Sequence, residues 1–171
     1  DTVPQSGDDV VFTSGKSATI DAGFTNSIGT LTVGPGYTNT ITQSTDLTIS
    51  GGYTQYSGTF SRSSGTLSVG GSFSHQGGTF SSSSLTLSGS GAISVTTGFP
   101  STLTLTVSGD YNTNTALTLG GLTITGTGDF SSSDDNITVN GAVTNDGTLR
   151  SPYFAGNTVA VTGTFTNNGT I

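Results

Sequence analysis

The chain repeats one phrase. An apolar residue, a Thr or Ser and a second apolar residue precede a glycine turn; an aromatic or valine follows six residues after the first apolar, and another apolar about six further on. The phrase reads Leu47-Thr48-Ile49 with Tyr53 and Phe60, and Leu67-Ser68-Val69 with Phe73 and Phe80. It returns as Leu105-Thr106-Val107 with Tyr111 and Leu117, Ile137-Thr138-Val139 with Val143 and Leu149, and Val159-Ala160-Val161 with Phe165 and Ile171. Weaker copies start at Leu31, Leu85 and Leu122, and the steps between the eight anchors are 16, 20, 18, 20, 17, 15 and 22 residues. Units this short cannot enclose a core of their own, so each reads as one coil of a stacked repeat, and residues 1–171 read as a single β-solenoid domain.

Strand is the only element this pattern suits. Apolar residues alternate with Thr or Ser, the period of a half-buried strand. The chain has no Glu and one Lys, and Gly, Thr and Ser, which are poor helix formers, dominate it. Gly51-Gly52, Gly70-Gly71, Gly77-Gly78, Gly109, Gly141 and Gly163 stand where turns are needed. A β-sandwich also spaces short strands between turns, but its strands need not share one apolar pattern. Position six after the anchors from Leu47 on reads Tyr53, Phe73, Gly91, Tyr111, Gly128, Val143 and Phe165, mostly apolar, as a column of stacked residues would be. The expected fold is all-β, a right-handed single-stranded parallel β-helix of about 8–9 coils of roughly 18–20 residues, a rod roughly 40 Å long.

Composition narrows the partners. Ten acidic and three basic residues give a formal charge of −7, and Lys16, Arg62 and Arg150 lie far apart, which argues against nucleic acid. No cofactor is expected: without Cys there is neither a disulfide framework nor a thiolate metal site, and no apolar run reaches the length of a membrane helix. The first residue is Asp1 rather than Met, as in a processed chain, and the rarity of Lys and Arg suits a protease-exposed location outside the cell or on its surface.

Three stretches carry a family resemblance. Val3-Pro4-Gln5-Ser6-Gly7-Asp8-Asp9-Val10-Val11-Phe12, the phrase from Leu31-Thr32-Val33 to Gly36-Tyr37-Thr38-Asn39-Thr40-Ile41-Thr42-Gln43, and the run from Gly58-Thr59-Phe60 to Gly78-Thr79-Phe80 resemble the Gly/Thr/Ser-rich β-helical repeats of large secreted bacterial surface proteins, adhesin-like and autotransporter-like. The resemblance covers essentially the whole chain. It implies an architecture and an extracellular setting, and no shared catalytic residues.

The candidates for chemistry are sparse, and no enzymatic activity is expected. A carbohydrate-active β-helix would gather carboxylates and bases on one face. Here Asp8-Asp9, Asp110, Asp129, Asp134-Asp135 and Asp146 are scattered, and Asp134-Asp135 reads as a corner loop. Asp129, Asp134 and Asp135 are the one set that oxygen-seeking calcium would use opportunistically. His75, just past an inward Phe73, is expected to face solvent, and Lys16 has no aligned partner for an isopeptide bond. Asn136-Ile137-Thr138 and Asn168-Gly169-Thr170 match the glycosylation pattern. Repeated Thr-x-Thr, as in Thr104-Leu105-Thr106, reads as the outward partner of a core residue rather than as an ice-binding array.

The ends carry the functional expectation. No amphipathic helix is written at either end, and inward-type residues occur close to both: Val10, Phe12 and Ile20 at one, Val161, Phe165 and Ile171 at the other. Uncovered coils invite stacking on further coils, and a heterologous contact that does not close makes a filament. The leading expectation is an extracellular structural subunit that joins head to tail with copies of itself through those six residues. The alternative is a repeat module of a larger adhesin, binding a surface or glycan through exposed Thr, Asn and Tyr.

Overall fold

A computed structural model describes residues 3–96, 99–133, 135–150 and 157–171. Among them the only regular element is the β-strand, and every strand pairing is parallel. The chain winds as a three-sided coil. One side is an eight-stranded sheet of Val10–Phe12, Leu31–Val33, Tyr53–Gln55, Phe73–His75, Ser90–Val95, Asp110–Thr113, Asp129–Ser132 and Thr148–Arg150. A second side is a seven-stranded sheet from Leu47–Ile49 to Phe165–Asn167. The third side is split: four strands, Ala18–Ile20 to Thr79–Ser81, serve the N-terminal half, and three, Leu117–Leu119 to Val159–Val161, the C-terminal half. Eight strands on one side require seven full turns between them, slightly fewer than the expected 8–9 coils. Register partners lie 17 to 23 residues apart, from Leu105 and Leu122 to Ala18 and Ile41, a spread around the expected period.

The alternating sequence explains the cross-section. Strands such as Leu67-Ser68-Val69 bury their first and third residues and turn the middle one outward. Stacking then puts like on like: Leu47 on Leu67 and Ile49 on Val69. In the N-terminal half the interior is filled by rings, with Tyr53 and Phe73 stacked at 4.9 Å, Phe60 and Phe80 stacked at 5.6 Å, and Phe73 edge-on to Phe80 at 5.2 Å. The corners need glycine because successive turns approach backbone to backbone. A Cβ at Gly109 would stand 1.8 Å from the carbonyl oxygen of Gly89 directly beneath it.

Two details of the expected column are corrected by the register. First, Phe73 stacks on Ile93, not on Gly91; Gly91 instead stacks on Tyr111, which stacks on Phe130. The strand Ser90–Val95 is long enough to pair with the preceding turn through its second half and with the following turn through its first. The aromatic lane therefore shifts by two residues, a shift that keeps inward residues inward. Second, Val143 and Phe165 stack on Leu122 in the seven-stranded sheet, apart from the aromatic lane. The repeated phrase is a corner rather than a fixed address. Leu47 and Leu67 begin it on the seven-stranded side, whereas Ile137 and Val159 begin it on the three-stranded side. Each corner of the coil poses the same problem, an alternating strand, a glycine turn and a new strand, so the same solution recurs at different corners.

Phe73 is fully buried between Tyr53 and Phe80, and Thr48 is an exposed middle residue. Phe73→Asp is expected to cost at least about 4 kcal/mol through an unpaired buried carboxylate, and Thr48→Asp less than about 0.5 kcal/mol. Urea unfolding followed by circular dichroism checks both; equal losses would contradict the inward register.

Candidate functional site

A solenoid buries each turn with the next, so its end turns lack one cover. Comparison within lanes shows the effect. Val143 is 0% exposed, and Phe165, stacked on it in the last turn, is 41% exposed. Leu149 is 3% exposed; Ile171, which follows the Thr170 bridged to Thr148, is 69% exposed. Val161, paired with the fully buried Val139, is half-buried. Leu149, Val159, Val161, Phe165 and Ile171 together line a hollow of about 490 Å3.

The first turn repeats the pattern. Val10 and Phe12 stack on the buried Leu31 and Val33 and are themselves half-buried. Ile20 stacks on Gln43 and is half-buried. These three, with Val3, Pro4, Phe24 and neighbours, surround an apolar cavity of about 450 Å3. The Phe12 ring leans on Tyr37 at 5.3 Å, and the Tyr37 hydroxyl donates to the Lys16 carbonyl at 3.0 Å. The six residues expected as interface thus fall into two apolar groups, one on each end turn.

Polar side chains inside the coil were not anticipated from the sequence. His75 is fully buried, contrary to its expected outward position, because period two places it on the same side as Phe73; its ring lies 6.1 Å from that of Phe80. Gln55 is buried by the same rule two residues after Tyr53. It accepts from the Tyr53 hydroxyl at 2.7 Å and donates to the Thr79 carbonyl in the next turn at 3.0 Å. Burial pushes the Tyr53 hydroxyl well above the usual phenol range. Near the C-terminal end Asn145 Nδ2 donates to Asn167 Oδ1 at 2.7 Å and to the Thr170 carbonyl at 2.9 Å, tying the last two turns together. The signal for this pair was the Thr-Asn dipeptide repeated 22 residues apart at Thr144-Asn145 and Thr166-Asn167.

Four carboxylates, those of Asp9, Asp46, Asp129 and Asp146, join turns. Asp129 stacks beside Asp110 and takes a bidentate ion pair from Arg150, with Nε to Oδ1 at 2.8 Å and Nη2 to Oδ2 at 2.5 Å. That guanidinium holds the Asp129 carboxyl below the usual carboxylate range. Asp46 is held below it too, by the backbone N–H and hydroxyl of Thr66 one turn on, at 2.7 and 3.0 Å. Asp9 accepts from the Thr30 hydroxyl, Asp8 from the Gln5 amide, and Asp146 from the Asn168 side chain. Asp134 lies outside the described residues, and the Asp135 backbone carbonyl accepts from Ser132 Oγ. Among the described residues no three His, Cys, Asp or Glu side chains group in a way that holds a metal. No helix among them is long and apolar enough to cross a membrane. On the seven-stranded side the outward middle residues from Thr48 to Thr166 form a ladder of seven aligned hydroxyls, each but Thr166 beside a buried apolar residue.

Comparison with protein-family models, curated proteins and solved structures finds no match.

Both depressed carboxyls link stability to pH in one direction. A folded pKa below the unfolded value gives stability that is present above the ordinary value of 3.8 and is lost as pH falls through the lower folded value. The melting temperature is expected to be level above about pH 5 and to fall below about pH 4. Asp129→Asn and Asp46→Asn each flatten the fall, and calorimetry across that range measures it.

Proposed function

We propose that this chain is an extracellular structural protein, a β-solenoid subunit that joins end to end into a filament or surface fibre. The observation that carries the reading is the contrast within lanes: Phe165 and Ile171 are exposed where the same lanes one turn inside are closed. The surface that completes an end turn is another parallel turn, and we commit to one supplied by a second copy. Parallel strands have unlike edges, so the contact is heterologous, C-terminal turn to N-terminal turn, and extends without closing. Covering each exposed inward side chain contributes on the order of 1 kcal/mol, and pairing of the strand edges adds direction.

The extracellular assignment rests on the resemblance to secreted β-helical repeats, supported by an acidic, Cys-free, Lys- and Arg-poor chain. No catalysis is assigned. The basic residues are three, one imidazole is buried within the coil, and four of the carboxylates join turns. The second reading, a repeat module of a larger adhesin, is favoured by the hydroxyl ladder along the seven-stranded side.

Electron microscopy with sedimentation at rising concentration tests the assembly. Filaments one coil wide are expected, and Phe165→Lys or Ile171→Asp is expected to stop their growth while leaving the circular dichroism of the coil intact. Single rods at every concentration, or normal growth of the charged variants, would transfer the assignment to the adhesin module. Incubation with polygalacturonate is expected to give no cleavage; turnover abolished by Asp135→Asn would overturn the non-enzymatic reading.

A further inference from the structure

The geometry points to a binding site for a carboxylate-bearing saccharide in the flank of the rod, centred on Arg62, and this inference does not depend on end-to-end assembly. The site arises where the third side is interrupted. Thr79–Ser81 is the last strand of the four-stranded sheet, and the next third-side strand, Leu117–Leu119, belongs to the three-stranded sheet. In the turn between them Phe99 plugs the interior, stacked on Phe80 at 6.0 Å and edge-on to Phe73 at 5.8 Å. Outside that plug, Pro100 and Thr102 face Ser81, Ser83 and Phe80 across a cavity of about 450 Å3. That volume falls in the small-molecule class of roughly 300–1,000 Å3.

Arg62 lines this cavity from the neighbouring turn. Its Nε donates to Ser82 Oγ at 2.8 Å, Nη2 to Ser83 Oγ at 2.6 Å, and Nη1 to the Gly65 carbonyl. All three partners are neutral. Among the described residues Arg62 has no carboxylate partner, whereas Arg150 is neutralised by Asp129. In a chain of ten acids and three bases, a guanidinium held by two serines and left without a counter-ion is the reverse of the surface around it. A guanidinium has five N–H donors and three are used, so donors remain for an incoming carboxylate. The rest of the lining selects what carries that carboxylate. The hydroxyls of Ser81, Ser83 and Thr102 suit sugar hydroxyls, and the half-buried Pro100 offers apolar surface to a ring face. A uronate residue within a glycan has this combination of one carboxylate, several hydroxyls and an apolar face.

Equilibrium dialysis reads binding per chain whether rods are single or joined. The probes are tetragalacturonate, the neutral galactose tetramer and sodium sulfate. Tetragalacturonate is expected to bind saturably, at least about tenfold more tightly than the neutral tetramer, and to weaken as salt rises. Thr102 is exposed, so Thr102→Asp places a carboxylate opposite Arg62 without touching the interior, and is expected to weaken binding at least about tenfold while Thr102→Asn retains it. Arg62→Gln, checked for an unchanged circular dichroism spectrum, is expected to abolish binding. No saturable binding, equal binding of the neutral tetramer, an unaffected Thr102→Asp variant, or binding of sulfate alone would each overturn the proposal.

Discussion

Everything in this rod depends on register between parallel turns. One turn of about twenty residues has no interior of its own; it presents apolar side chains to the turn above and the turn below, and they are buried only if the same lanes align. The alignment is enforced twice. Backbone hydrogen bonds fix which residue faces which, as at Leu105 and Leu122, and corner glycines such as Gly109 let carbonyl oxygens of the preceding turn approach where a Cβ would collide. Side chains then reinforce the choice from both surfaces. Stacked rings do so inside, and outside the carboxylates of Asp46 and Asp129 reach one turn along to Thr66 and Arg150. A shift of one residue in any strand would turn its apolar set to solvent. A shift of two is tolerated, and the strand Ser90–Val95 uses that tolerance.

That same strand marks the middle of the molecule as different from its two halves. Ahead of it the third side belongs to the four-stranded sheet and the interior is aromatic; behind it the third side belongs to the three-stranded sheet and is filled by aliphatic residues such as Leu117, Ile137 and Val159. The change of lane and the change of third side occur within one turn, and Phe99 covers the discontinuity. A uniform solenoid has flat sides with few concave features. The interruption supplies one, and it contains the guanidinium that lacks a charged partner. Fold irregularity and candidate chemistry thus coincide.

Period two and regular spacing made the all-β coil, the parallel stacking and the buried anchor residues readable from sequence. Period two counted from Phe73 puts His75, two residues on, inside rather than at its expected outward position, and Gln55 follows Tyr53 in the same way; backbone carbonyls of its own turn and the next give the inward Gln55 amide its partners. The coil side on which each phrase falls was not readable, since all corners have the same local chemistry and only long-range pairing tells Leu47 from Ile137. The six end residues are read from position alone, and in the structure they lie on the first and last described turns, which have a parallel neighbour on one side. The Arg62 cleft had no sequence signature, because its parts come from three turns and its shape from a side that stops.

Amide hydrogen exchange as a function of concentration tests whether the two end turns complete one another, as proposed. In dilute solution the central strands, such as Leu105 to Val107, are expected to exchange slowly and the end strands Val10–Phe12 and Phe165–Asn167 quickly. At concentrations that support assembly, both end strands are expected to slow together toward the central values. End strands that exchange quickly at every concentration, or protection gained at one end alone, would contradict the claim.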